Sequence, residues 1–277
     1  MILRGLEQTD RAQAEALWRD IFEESPAFAA YYFDQRFYPE HSFGAFDGDR
    51  LIGMALGRPT KINVRGAFVP ALLVAGVSTL PAYRNQGVMH RLMTLLIDRA
   101  KADGFACCYL HPVSETLYAS LGFRNGADAR IVRSDPARSN EPFVFSDRFD
   151  TNDVLTVYHA VQRSHDGMQL RDEKELAAVF ADYAIDGANT VIAYDGNCPV
   201  GYICFCTDGL VYELYALSPS VCEALLDEAA RRAGKEIKAI VPVDCGIPGE
   251  TVYSMQYLVF DHAFDLPLNN GFCRLAY

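Results

Sequence analysis

The chain has 277 residues, half of them hydrophobic and 22% charged, with 20 glycines and 13 prolines. That is enough apolar material for a full core in one large or two modest domains, and it excludes a disordered, collagen-like or disulfide-stapled chain. A formal charge of −11 argues against nonspecific nucleic-acid binding and against adsorption to an anionic membrane.

Residues 1–6 read as a short strand, and Thr9 and Asp10 offer caps for an amphipathic helix through Leu17, Trp18 and Ile21. Ser25-Pro26 repeats the start signal for a second helix reaching about Phe37. Alternating residues around Asp47-Gly48-Asp49 predict a hairpin of Ser42–Phe46 and Leu51–Arg58, followed by an apolar strand Ala71–Thr79. A tight loop between Pro81 and Gly87 leads into a strong helix with Val88, Leu92, Leu95, Leu96 and Ile97 on its apolar positions. Then come a strand Phe105–Leu110, a short helix Ser114–Leu121 ended by Gly122, and a strand from about Arg124 to Arg133. Residues 134–150, rich in Pro, Ser and charge, mark the expected boundary. Beyond it the pattern predicts helices near 151–164 and 172–184 and strands at Thr190–Tyr194, Val200–Cys206 and Val211–Leu217. A helix from Ser218-Pro219 to Gly234 follows, then strands at Ile237–Val241, Val252–Phe260 and Phe272–Tyr277.

Both halves share the order helices, hairpin, strand, helix, strand. That pattern, without an obvious sequence repeat, predicts two domains, 1–139 and 140–277. Their charges differ: 16 bases against 15 acids in the first, 9 against 21 in the second. The eight cysteines lie in apolar stretches with no CxxC pair and read as reduced, buried thiols, and no metal site is expected. The N-terminus carries no apolar run of signal-peptide length, and no stretch approaches the ~18 apolar residues of a membrane span. A cytoplasmic protein with no membrane or nucleic-acid partner is expected.

The segment Val74–Arg124 carries the chemistry. A buried strand enters a loop with Arg84 and Gly87 and then a long helix, which makes an anion site: unpaired amides at the helix start carry partial positive charge. Residues 81–101 add Arg84, Arg91, Arg99 and Lys101 against Asp98 alone. An ordinary strand–turn–helix would accommodate the same glycine and arginines, so the loop by itself does not decide.

Arg84-Asn85-Gln86-Gly87-Val88-Met89 resembles the coenzyme A pyrophosphate loop, Q/R-x-x-G-x-G/A, of the GNAT N-acetyltransferase family. Val77–Tyr83 resembles the strand end that feeds this loop, and Tyr118-Ala119-Ser120-Leu121-Gly122-Phe123 resembles the family's Y-x-x-x-G-F segment. Two motifs in the right order, separated by a helix and a strand, are far more specific than either alone. Met89 departs from the pattern, but a large aliphatic residue there is similar to the Eis-like (enhanced intracellular survival) branch. That branch also fuses a second, degenerate acetyltransferase-like domain, and its usual sterol-carrier-like domain is not expected within this chain.

The resemblance implies an α/β (α+β) fold of two tandem acyl-CoA N-acyltransferase-like domains, each a mixed sheet flanked by helices. It implies transfer of an acetyl group from acetyl-CoA to a primary amine of a small or peptidic substrate, by direct attack in a ternary complex. Gly76, Val77 and Ser78 would offer backbone N–H groups to the thioester carbonyl, with Ser78 at the reacting end. Arg84, Asn85, Gln86, Gly87, Val88 and Met89 would hold the pyrophosphate. Tyr118 would protonate the departing thiolate, since a phenol near pKa ~10 suits a thiol near ~8.5. For the general base, the Eis-like branch points to the terminal carboxylate at Tyr277; His111, Glu115 and an ordered water are alternatives. Cys107 and Cys108 have no paired histidine and are not expected to act as nucleophiles.

Glu23, Glu24, Tyr31 and Tyr32 combine acids and aromatics that would suit a cationic amine, although the same aromatics equally suit a core. The second half has no Arg/Gln-x-x-Gly loop, and Glu223 lies early in its helix, so one CoA site per chain is expected. A CoA-binding but catalytically silent module acting through a partner is the alternative reading, and a homo-oligomer is compatible with either.

Overall fold

The computed structural model describes residues 1–22, 25–136 and 143–272. Strand β1 (Ile2–Gly5) leads through a 3-10 turn into helix α1 (Arg11–Phe22). The Asp10 carboxylate in that turn accepts from the Glu7 N–H at 2.8 Å and from Arg4 at 2.6 and 2.8 Å. The Arg4 hydrogen bonds hold the Asp10 carboxyl below its usual range. A lowered native pKa stabilises the fold above the unfolded value and loses that contribution as pH falls through the native one. The Asp10→Asn chain is therefore expected to lose less stability than the native chain as pH falls through and below the usual carboxylate range, measured by denaturant titration at each pH. Equal acid sensitivity would show that this pair contributes nothing.

Helix α2 (Pro26–Gln35) begins as its sequence predicts: Ser25 Oγ accepts from the Phe28 N–H, with Pro26 in the first turn. Strands β2 (Phe43–Asp47), β3 (Arg50–Val64) and β4 (Ala67–Thr79) follow. The last two are longer than predicted and form one hairpin that turns at Arg65 and Gly66, both at positive φ. Pro59 and Pro70 look like breakers in sequence. Yet β2 pairs with β3 only as far as Ala55, and β5 (Cys107–Leu110) pairs with β4 only from Ala71 onward. Each proline thus sits where its strand has a free flank, and the missing N–H costs no ladder bond.

Helix α3 (Val88–Ala102) crosses from β4 to β5. The predicted helix over 114–121 is instead a run of turns closing in a 3-10 turn, Ala119–Leu121, before Gly122 at φ 89°. Next come β6 (Arg124–Ser134), β7 (Val144–Ser146), α4 (Thr151–Ser164), α5 (Glu173–Ile185), β8 (Asn189–Asp195) and β9 (Cys198–Phe205). The chain continues with β10 (Val211–Ala216), α6 (Pro219–Ala233), β11 (Ile237–Pro242) and β12 (Glu250–Val259).

The fold is mixed α/β. One sheet has eight strands in the order β1-β2-β3-β4-β5-β12-β6-β11, and a second has four, β10-β9-β8-β7. Strand β12 pairs antiparallel with both β5 and β6. The segment beyond residue 139 therefore contributes two strands, β11 and β12, to the sheet built by the segment before it. Alternating residues of β3 and β4 send Ile52, Ala55, Leu72 and Val74 under α3, and Met54, Leu56 and Ala75 under α1 and α2. A third core packs α6 between the second sheet and β6–β11. No helix among the described residues is long and apolar enough to cross a membrane.

Candidate functional site

The site is built where β4 and β5 part. Their parallel pairing runs from Ala71↔Cys107 to Leu73↔Tyr109 and ends there. Beyond that point β4 continues alone on this flank, and opposite Ala55 it carries a bulge in which Gly76 takes φ 58°. Only glycine adopts this conformation readily, and here it also clears space: a Cβ on Gly76 would lie 2.6 Å from the Trp18 ring. The bulge turns Val77 and Ser78 toward an open cavity of about 410 Å³.

The loop after β4 closes the cavity on one side. A 3-10 turn, Pro81–Tyr83, precedes Asn85 at φ 60° and Gly87 at φ 71°. A Cβ on Gly87 would meet nothing within 4 Å, so the approach to its backbone is open. The first bond inside α3 is Arg91 N–H to Gly87 C=O. The N–H groups of Val88, Met89 and His90 thus have no carbonyl of the helix to bond, and they give this end its partial positive charge. Arg84 is exposed and donates from Nε to the Thr79 carbonyl at 3.1 Å, which pins the loop against the strand end. Tyr83 donates to Asp47 at 2.7 Å, and that bond pushes its phenol up.

Tyr118 closes the opposite side. It is buried, packs its ring 5.9 Å from Phe123, and lines the same cavity as Ser78 and Gly87. Ser78 is buried too, and its Oγ has no hydrogen-bond partner. A buried hydroxyl without a partner stands out in a native fold, and here it belongs to a residue that lines the cavity. These parts fit a CoA thioester: outward amides for phosphate, an open glycine for close approach, and a buried hydroxyl and a phenol at the inner end.

Of the residues expected from sequence, Val77, Ser78, Arg84, Asn85, Gly87, Val88, Met89 and Tyr118 line this one cavity. Gly76 shapes it from beneath, and Gln86 is exposed on the loop with its amide on the Ala82 carbonyl. Met89 lines the cavity while packing against the α3 core. Tyr32 instead stacks on Trp18 in the core at 4.5 Å, and Tyr31 donates to the Ala178 carbonyl in α5; neither lines this cavity. His111 and Glu115 are exposed and outside it as well. Glu23, Glu24 and Tyr277 lie outside the described residues. Ile21, Thr79, Tyr83, His90, Val113 and Leu117, which the sequence reading did not assign to the site, complete the lining. His90 follows Met89 directly, so the helix start itself carried that signal.

Cys107 and Cys108 are fully buried on β5, and burial pushes their thiols up, Cys108 to about 12. A thiol this hard to ionise is a poor nucleophile. In the second half the strand–helix–strand step β10–α6–β11 lacks the loop. Ser218 Oγ accepts from the Val221 N–H and occupies the helix start itself, with Pro219 following. Among the described residues no group of three or more His, Cys, Asp or Glu could hold a metal ion.

Residues 3–126 match a family model described as an acetyltransferase (GNAT) domain. No curated protein matches the sequence. Among solved structures, a probable N-acyltransferase from Enterococcus faecalis superposes with a TM-score of 0.74 at 17% identity, over 93% of this chain and 72% of that one. Eis1 from Mycobacterium abscessus gives 0.70 at 16%, over 94% and 74%. N-myristoyltransferase from Saccharomyces cerevisiae, solved with myristoyl-CoA, gives 0.62 at 9%, over 93% and 82%. At these identities the solved structures speak for the fold.

Proposed function

We propose that this chain, whose residues 3–126 match a model of the GNAT acetyltransferase domain, moves an acetyl group from acetyl-CoA to a primary amine of a small or peptidic substrate. The observation that carries the reading is the convergence of three separate segments on one cavity: the unpaired end of β4, the Gly87 loop and Tyr118. Acetyl-CoA supplies the reactive thioester. The open amides at Val88–His90 hold its phosphates, with Gly87 allowing close approach. Backbone N–H groups at the β4 bulge stabilise negative charge as it develops on the carbonyl oxygen. Tyr118 gives its proton to the departing sulfur. The amine attacks directly, because the buried thiols of Cys107 and Cys108 are unsuited to a covalent relay.

The test is release of free CoA thiol from acetyl-CoA over a panel of polyamines, aminoglycosides, amino acids and peptides. Acceptor-dependent release supports the reading. Binding of acetyl-CoA with no release across the panel would favour a silent CoA-binding module. The Ser218-capped end of α6 leads to a further expectation: calorimetry should show one CoA per chain. A stoichiometry of two would overturn the assignment of the phosphate loop to the first half alone.

A further inference from the structure

A second cavity, of about 440 Å³, lies between α2, β3 and α5. It shares no lining residue with the Gly87 cavity. Arg58 on its wall is four positions along β3 from Met54, the partner of Ser78, which places it roughly 13 Å away along the strand. The volume is in the range of small-molecule sites.

Its wall contains two buried guanidinium groups. Arg36, at the end of α2, is 3% exposed, and Arg58 is 5% exposed. Asp182 lies 3.3 Å from Arg36 Nη1, yet none of the three Arg36 nitrogens has a hydrogen-bond partner. Arg58 donates from Nη2 to Glu175, and its Nη1 has no partner. A buried, charged N–H without an acceptor is costly, so Arg58 Nη1 and the Arg36 nitrogens that the Asp182 ion pair leaves without a hydrogen bond call for an acceptor. Of the neighbouring carboxylates, Asp182 forms a buried ion pair with Arg36. Glu175 is taken by Arg58 Nη2, and Asp172 accepts from the Glu175 N–H at the start of α5. Exposed Lys61 and Lys174 add positive charge at the mouth. Burial, and then the charge of Arg36, push the Arg58 guanidinium down, so a bound anion would relieve both groups.

We propose that this cavity binds a small metabolite through an oxyanion, a carboxylate or a phosphate, held by Arg36 and Arg58 with Lys61 and Lys174 at the entrance. The planar guanidinium fork suits both anions, which accept two parallel N–H bonds. Because α2 and α5 belong to opposite halves of the chain, the ligand also bridges them.

Calorimetric titration of the whole chain with succinate and, separately, with inorganic phosphate tests the proposal. At least one anion is expected to bind with a Kd of about 1 mM or tighter. Succinate binding alone identifies a carboxylate ligand, phosphate binding alone a phosphate ligand, and binding of both the shared oxyanion chemistry. Arg58→Met should weaken binding about tenfold or more. The double variant Lys61→Ala, Lys174→Ala should weaken it less and reduce its salt dependence. Arg133→Ala, an exposed residue that lines neither cavity, should leave succinate binding unchanged. Absence of binding by both anions, or binding that Arg58→Met leaves unchanged, overturns the proposal. Should Arg58→Met fail to fold, the surface lysine pair decides, and an unchanged, salt-insensitive isotherm there overturns it equally.

Discussion

Turnover of acetyl-CoA by the Tyr118→Phe chain is expected to fall by about 10²- to 10⁴-fold, the usual contribution of a positioned acid. The phenyl ring keeps the packing against Phe123, so the fold should persist. The amides at Val88–His90 and the Gly87 turn are untouched, so KM for acetyl-CoA should hardly move. This split distinguishes proton donation from binding: Arg84→Ala, which frees the loop from the Thr79 carbonyl, should act chiefly on KM. The loss in Tyr118→Phe should also shrink with a thioester whose thiol is more acidic, because such a leaving group departs without help. Unchanged turnover in a folded variant would remove Tyr118 from the chemistry.

Gly76→Val is expected to destabilise the fold by roughly 2–5 kcal/mol, through strain at a positive φ and overpacking of the core. The backbone there sits at φ 58°, and the added Cβ would come within 2.6 Å of Trp18 and 3.0 Å of Leu56 Cδ1. Trp18 has no room to retreat, since it stacks on Tyr32 and meets Phe22, Phe28 and Phe33. Gly66→Ala provides the contrast. Its φ is 82°, but a Cβ would meet nothing within 4 Å, so strain alone should cost about 1 kcal/mol. Urea titration of both variants checks the difference, and equal losses would show that the Trp18 contact is not limiting.

The parts legible in sequence were those encoded by neighbouring residues. Arg84–Met89 and Tyr118–Phe123 are short motifs whose turns are set by their own glycines, and both sit on the same cavity. The start of α2 at Ser25-Pro26 was readable for the same reason. What escaped depended on partners far along the chain. Pro59 and Pro70 hid a long hairpin because their tolerance comes from free strand flanks, which no local pattern records. The aromatic residues of α2 read as either substrate wall or core. Packing of Tyr32 on Trp18, which lies over the β4 bulge, put them in the core. The anion cavity was invisible because Arg36, Arg58 and Glu175 are brought together only by the docking of α5 on α2 and β3.

The position of β12 has a consequence for how the protein is made. Strands β5 and β6 are neighbours in sequence but not in the sheet; the gap between them waits for Glu250–Val259. At ~5–20 residues per second, a ribosome needs roughly 6–23 s to travel from the end of β6 to the start of β12. Throughout that interval the nascent first half carries two open strand edges, the kind of surface that pairs with strangers. The Gly87 loop and Tyr118 are thus translated early but held on an unfinished sheet. In the cell, the second half acts first as the delayed closing piece of the first.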